Sequence, residues 1–320
     1  MVHEATTLKG KKQGIIFGLI AYTLWGLLPL YWDLLEAVPA HIVLGHRILW
    51  SCVFVGVLVF VWGSWKGVGA VFQSRKNFII TLITAVVISG NWLTYIYAVH
   101  VGRVIETSMG YYINPLVTIL LSVIILKEQL SPLKWVAVGI AAVGVGTFTL
   151  WFGALPWIPL TLAFTFAFYG LMKKMLPADS ISGLFVETVI LAPIVLVYLG
   201  SIEYQGTGVI GNVPPITLVL LSGAGVATAT PLLFFSMAAQ RIKLNIVGFM
   251  QYLAPTLALI LGVFFFREPF KPVHMFTFSC IWVALAIYTS ELLREFRRER
   301  RKRAAAHLAE KESVDRATGN

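Results

Sequence analysis

The chain has 320 residues, 58% of them hydrophobic and only 12% charged, with a mean hydropathy of +0.81. Soluble domains carry about 25% charged residues, so water is not the solvent for most of this surface and an ordinary soluble domain is excluded. The formal charge of +10 does not indicate nucleic acid, because the basic residues lie in short segments between apolar runs and in the C-terminal tail, the distribution that orients a chain in a membrane.

Apolar runs of spanning length, roughly 17 to 25 residues, occupy about 14–32, 42–62, 78–98, 104–126, 134–152, 156–172, 181–200, 215–239, 244–266 and 273–290. They predict an all-α polytopic membrane protein with ten transmembrane helices. The first run follows Lys9, Lys11 and Lys12, as a signal peptide would. It contains Trp25 and Pro29 and no convincing small-residue cleavage site follows it, so it is read as a membrane helix. Cys52 and Cys280 lie inside apolar runs and read as small buried hydrophobes rather than a disulfide.

The fourth and ninth runs repeat one another. At one constant offset Tyr112 meets Tyr252, Pro115 meets Pro255, Lys127 meets Arg267, Glu128 meets Glu268 and Pro132 meets Pro272. Prolines and glutamates are scarce in so apolar a chain, so these pairs predict a duplication. The expected plan is an N-terminus at 1–13, a first five-helix repeat at 14–152, a second at 153–290 and a basic tail at 291–320. An odd number of helices per repeat turns the second copy upside down relative to the first, an arrangement common to several secondary transporters.

With the N-terminus in the cytoplasm, the inner segments carry Lys66, Arg75, Lys76, Lys127, Lys134, Lys173, Lys174, Arg241, Lys243 and the tail. The outer loops carry only Arg103, Arg267 and Lys271, so both termini are expected inside. The tail from Glu291 alternates Glu and Arg at helical spacing and reads as an extension of the last helix near anionic lipid headgroups, fraying into disorder.

Ionisable groups within a membrane are costly and usually face a cavity or a partner. Four qualify as coupling or gating residues: His46 and Arg47 near the outer end of the second run, Glu106 near the outer end of the fourth, and Glu187 in the seventh. Arg47 lies about five residues in, roughly 7 Å, so snorkelling to the interface competes with a functional role. Arg47 and Glu106 lie at similar depth, which suits a gate-like ion pair, and the repeat offset maps Arg47 onto Glu187 at mirrored depth.

Asn114 and Pro115 sit about ten residues into the fourth run, roughly 15 Å deep and near the midplane. Proline removes a backbone donor and frees a carbonyl, which is tolerated at that depth only where neighbours or a cavity satisfy it. Pro255 repeats the device, with Gln251 and Tyr252 a turn before it. Two helix kinks at repeat-related positions, each beside polar side chains, point to a central substrate site formed by Asn91, Trp92, Tyr112, Asn114, Gln251 and Tyr252. Tyr95 could add an aromatic wall. Trp25 and Tyr169, each followed by glycine in the first helix of its half, are ambiguous. Gly14 with Gly18 and Ala142 with Gly146 read as close helix packing. Glu128 and Glu268, each four residues before a proline that can open the next helix, read as local turns and caps.

There is no G-x-x-x-x-G-K-[ST] phosphate loop, no H-E-x-x-H or G-x-S-x-G motif, and no Cys/His cluster at ligand spacing. No metal, cofactor or catalytic residue is therefore expected.

The duplicated ten-helix plan, with Pro115, Glu128 and the glycine-rich stretch Gly139 to Gly146, then Pro255 and Glu268, resembles the EamA-type drug/metabolite transporter superfamily. Within it the chain resembles more closely the RarD branch, the chloramphenicol-sensitive proteins. That likeness rests on segments such as His46-Arg47-Ile48-Leu49-Trp50-Ser51, Gly90-Asn91-Trp92, Gly110-Tyr111-Tyr112-Ile113-Asn114-Pro115-Leu116, Ala167-Phe168-Tyr169-Gly170-Leu171, Pro231-Leu232 and Gln251-Tyr252. The resemblance implies a bacterial inner-membrane permease whose cavity is lined chiefly by spans 1, 3, 4, 6, 8 and 9. The expected function is alternating-access transport of a small metabolite or drug, with proton coupling through Glu106 or Glu187. The expected partners are a small-molecule substrate and membrane lipids, with no nucleic acid and a homodimer left open. The rival readings are a membrane-embedded enzyme and a non-transporting scaffold or sensor.

Overall fold

The computed structural model describes residues 8–100, 104–153, 157–176, 178–265 and 272–318, with the side chains of residues 8, 96, 99, 100, 104–106, 108, 152 and those beyond 298 outside that description. The described residues form helices α1 (Leu8–Asp33), α2 (Ala40–Val61), α3 (Trp65–Gln73), α4 (Arg75–His100), α5 (Val104–Ile124) and α6 (Pro132–Phe152). These are followed by α7 (Trp157–Met175), α8 (Ser180–Tyr204), α9 (Pro215–Arg241), α10 (Leu244–Met250), α11 (Leu253–Phe264) and α12 (Pro272–Thr318). Among them eight helical stretches are long and apolar enough to cross a membrane, and Met109–Ile124 within α5 is a shorter apolar stretch. Large side chains such as Phe60, Val197 and Leu150 are exposed on the outside of these helices, the surface a multi-pass chain offers to lipid.

Local chemistry sets several ends. Pro132, Pro215 and Pro272 open α6, α9 and α12 at the first helical position, where a missing N–H costs nothing. The Asp179 side chain caps α8 by accepting from the Ser182 amide at 3.0 Å. After α2 the chain turns at Gly63, whose φ of 64° is left-handed and free of cost only to glycine.

Three features depart from the expected spans. The segment after α2, read as a loop, forms the amphipathic helix α3, which packs Val68 and Val71 inward. The ninth run is not one helix. It breaks at Gln251 and Tyr252, because Pro255 has no N–H to give the Gln251 carbonyl, which instead accepts from Ala254 in a tighter turn at 3.3 Å. Pro115, its repeat-related partner, is absorbed within a continuous α5. In the tail the last helix does not fray early, since α12 continues to Thr318. Cys52 and Cys280 are free and half-buried rather than fully buried.

The chain forms two compact units, one of residues 1–128 with 149–271, the other of 129–148 with 272–320. In the smaller unit Gly144 meets Cys280 and the Thr277 carbonyl, and Thr277 donates back to the Gly144 carbonyl at 3.2 Å. Close packing there therefore uses Gly144, not the expected Ala142 and Gly146. Lys134, only 2% exposed, lies over the Tyr288 ring and pairs with Glu295 at 2.6 Å.

In the larger unit the most extensive helix pairings each join a helix before residue 152 to one after it: α5 with α7, α1 with α9, and α2 with α9 and α8. The tightest is at Gly225 of α9, where an added Cβ would lie 2.3 Å from the Trp50 carbonyl carbon and 2.5 Å from the Ser51 nitrogen. Ser51 Oγ completes the contact by donating to the Gly225 carbonyl at 3.0 Å. Gly14 and Gly18 let α1 approach Ile242, Arg241 and Met250 in the same manner.

A buried ion pair ties α4, α7 and α8 of this unit. Lys173 Nζ lies 2.6 Å from Glu187 Oε1, with Lys173 at 0% and Glu187 at 1% exposure. Thr84 donates to the same carboxylate at 2.6 Å and the Tyr169 hydroxyl at 3.2 Å, so α4, α7 and α8 converge on it. Lys173, counted above among solvent-side charges, is thus in the packed interior.

Gly225→Ala is expected to force α2 and α9 apart and cost about 1–3 kcal/mol, lowering the Tm of the detergent-solubilised protein. Glu187→Gln, by leaving Lys173 charged and buried without a counter-charge, is expected to cost about 3–5 kcal/mol. The double variant Lys173→Met with Glu187→Met should recover most of that loss in the same thermal measurement.

Candidate functional site

The larger unit encloses a cavity of about 630 Å³, within the range of small-molecule sites. Its lining extends from the α1–α2 turn, where exposed Glu36 marks its mouth and Leu35 and Val38 are buried, to the buried Tyr22 and Gln251. Tyr22, Trp25, Pro29 and Trp32 of α1 recur at helical spacing and present one continuous stripe to it. Arg47 of α2, Asn91, Trp92 and Tyr95 of α4, Tyr111 and Asn114 of α5, and Leu162 and Phe166 of α7 supply further wall, closed by Gln251, Ala254 and Pro255 at the broken helix.

Several polar side chains of the wall are held by definite contacts. Arg47 Nε donates to Thr228 Oγ1 at 2.9 Å, and its guanidinium carbon lies 4.5 Å from the centre of the Trp32 ring. Asn91 spends its amide on the Leu162 carbonyl at 2.9 Å and Thr165 Oγ1 at 2.8 Å. The hydroxyl of Thr118 lies between Asn114 Oδ1 at 3.3 Å and Gln251 Oε1 at 3.2 Å, joining α5 to the break between α10 and α11. Tyr22 and Gln251 adjoin one another and are 2% and 5% exposed, yet neither Tyr22 Oη nor Gln251 Nε2 completes a hydrogen bond among the described residues. Trp25 meets Phe166 edge to face, ring centres 5.6 Å apart, and Tyr22 at 5.4 Å.

Of the residues singled out in the sequence, Asn91, Trp92, Asn114, Gln251, Arg47 and Pro255 stand on the wall. Tyr252 does not: it is fully buried and packs against Phe249, because the break turns its side chain into the protein. Tyr112 is half-buried on another face of α5, and Pro115 is buried against Gly248 of α10. His46 lies off the wall, one residue around α2 from Arg47. Glu187 is remote from Arg47's contacts and belongs to the Lys173 pair. The side chain of Glu106 and all of Arg103, Arg267, Glu268 and Lys271 lie outside the described residues. The second span lines the cavity while the eighth does not; α9 stands behind the wall and supports Arg47 through Thr228.

Sequence reading missed Tyr22, Trp32, Tyr111 and Phe166 as wall residues. The first two share the helical face of Trp25, a periodicity that could have found them. Nothing in the sequence marks Thr228.

Beyond the innermost end, the turn between α9 and α10 is held by two charges. Glu128 accepts from the Leu244 amide at 2.8 Å and the Asn245 amide at 2.9 Å, capping α10. It is therefore a cap, but for a distant helix rather than for its own turn. Lys174 donates to the Ala239 carbonyl at 3.1 Å and to the Ile242 carbonyl, closing the end of α9. Opposite charges thus meet opposite ends of two helix dipoles.

Residues 12–150 match the model of the EamA-like transporter family. The chain is 44% identical to the uncharacterized transporter YojE of Bacillus subtilis over 87% of its own length and 94% of that protein's. It is 41% identical to the protein RarD of Escherichia coli over 91% of its length and 98% of that protein's. A solved crystal structure with 16% identity superposes with a TM-score of 0.65 over 86% of this chain and 96% of that one, a likeness of fold alone. Identity at this level along nearly the whole chain means that this multi-pass membrane protein belongs to the RarD branch of the EamA-like transporter family.

Proposed function

We propose that the protein is a secondary transporter that carries a small solute across the bacterial inner membrane by alternating access. The observation that supports this most is the cavity itself: a polar and aromatic chamber inside a helical unit that exposes large apolar side chains, lined from the α1–α2 turn to Gln251 at the broken helix. In this reading ten spans form two inverted five-helix repeats with both termini in the cytoplasm, as the Tyr112/Tyr252 and Pro115/Pro255 pairs and the distribution of basic residues favour. The mouth then faces outward, and opening to the cytoplasm requires release of the α9–α10 turn. The names of the relatives favour a transporter over an enzyme.

Proton coupling, where it operates, is assigned to Glu187. Since that carboxylate is paired with Lys173, taking up a proton requires the pair to part during the cycle. A solute flux that ignores an imposed pH gradient would remove this part of the reading.

The test is counterflow into proteoliposomes containing the purified full chain. Saturable solute exchange is expected, and Asn114→Leu combined with Gln251→Leu should lower it at least about tenfold, since a site built on hydrogen bonds fails when its buried polar groups are lost. Lipid or peptide turnover without solute exchange would favour an enzyme instead. Glu128→Gln, by weakening a charged cap worth about 1.5–3 kcal/mol, is expected to increase labelling of a cysteine placed at Ala254 by an impermeant reagent applied from the side of the α9–α10 turn.

A further inference from the structure

We infer that the solute is a small organic anion, a carboxylate carried on a planar apolar body, with Arg47 as the group that selects its charge. The inference rests on the transport reading for its biology, but its chemistry comes from the wall. Among the described side chains lining the cavity only two are charged, Arg47 within it and Glu36, which is exposed at the mouth. Arg47 is fixed in place by Thr228 and Trp32, while its two terminal nitrogens have no protein partner among the described residues. A fork of N–H donors held rigid and unspent is suited to a carboxylate.

The unspent groups deeper in the cavity lean the same way. Gln251 Nε2 donates and the adjoining Tyr22 Oη donates or accepts; neither completes a hydrogen bond among the described residues, and both side chains are more than nine-tenths buried. Such groups are costly unless something pairs with them, and what pairs with donors is a ligand presenting oxygen acceptors. The rings of Trp25, Trp92 and Phe166 line the same cavity and suit a flat apolar body.

An aromatic chamber can also hold a cation, but here the Trp32 face is already taken by Arg47, whose charge would repel a second cation. A neutral amphipathic solute would leave the guanidinium unpaired in a half-buried site.

Three probes of one shape separate these cases: 3-phenylpropanoate, its neutral amide, and 3-phenylpropylamine as the protonated amine. Their binding to the detergent-solubilised full chain is followed by calorimetry near neutral pH. The acid is expected to bind on the order of ten- to a hundredfold more tightly than the amide, and the amine most weakly. Arg47→Gln should collapse the acid-to-amide ratio to near one, with Arg47→Lys intermediate because it keeps the charge but loses the fork.

Equal binding of all three probes, preference for the amine, no binding by any, or an acid-to-amide ratio unchanged in Arg47→Gln would each overturn the inference. The wild-type comparison needs no variant to fold. Counterflow distinguishes the two layers: acid that binds but is never exchanged defeats the transport reading and leaves the anion site standing, whereas exchange that favours the amine or amide defeats the anion site and leaves transport standing.

Discussion

The turn between α9 and α10 is where the architecture is most exposed to failure. Two helices end there inside an apolar structure, and each end carries backbone groups that no further helical turn can satisfy. The carboxylate of Glu128, at the close of the α5 segment, takes the amides of Leu244 and Asn245, and the ammonium of Lys174, at the end of α7, takes carbonyls of Ala239 and Ile242. Three stretches of chain far apart in sequence are fixed by these few bonds. The packing above them, including the approach of Gly14 and Gly18 to the same turn, presupposes that it stays in place.

The cavity illustrates the opposite use of polarity. At the turn the Leu244 and Asn245 amides and the Ala239 and Ile242 carbonyls find side-chain partners, whereas along the wall Tyr22 Oη, Gln251 Nε2 and the terminal nitrogens of Arg47 are left unsatisfied among the described residues. The Lys173 and Glu187 pair lies between these extremes, fully buried yet internally matched, with Thr84 and Tyr169 completing the carboxylate's shell. Buried pairs of this kind contribute little net stability but are costly to break, which suits an element that holds one arrangement of α4, α7 and α8 firmly.

Much of this was legible in the sequence because hydropathy reports directly on lipid exposure. Most of the long helices fall within a few residues of the apolar runs, and Asn91, Asn114 and Gln251 were conspicuous as amides at membrane depth. What escaped depends on contacts between distant segments. Lys173 and Lys174 are adjacent and read alike, yet one is neutralised in the interior and the other closes a helix end. Tyr112 and Tyr252 were chosen because they repeat, but repetition carries no information about which face of a helix meets a cavity. Tyr111, one position earlier, is on the wall instead. The break at Gln251 was foreshadowed by Pro255, while the uninterrupted passage of α5 through Pro115 was not, since the same residue gives a different outcome in different packing.

The shortness of α10 has a consequence of its own. Seven residues make barely two turns, well below the length at which a helix sustains itself, so this segment is ordered only because its neighbours impose order on it. Gln251 is the residue that immediately follows. The orientation of the Gln251 amide on the cavity wall is therefore governed remotely, by the Glu128 carboxylate in the loop after α5, which is not itself part of the lining.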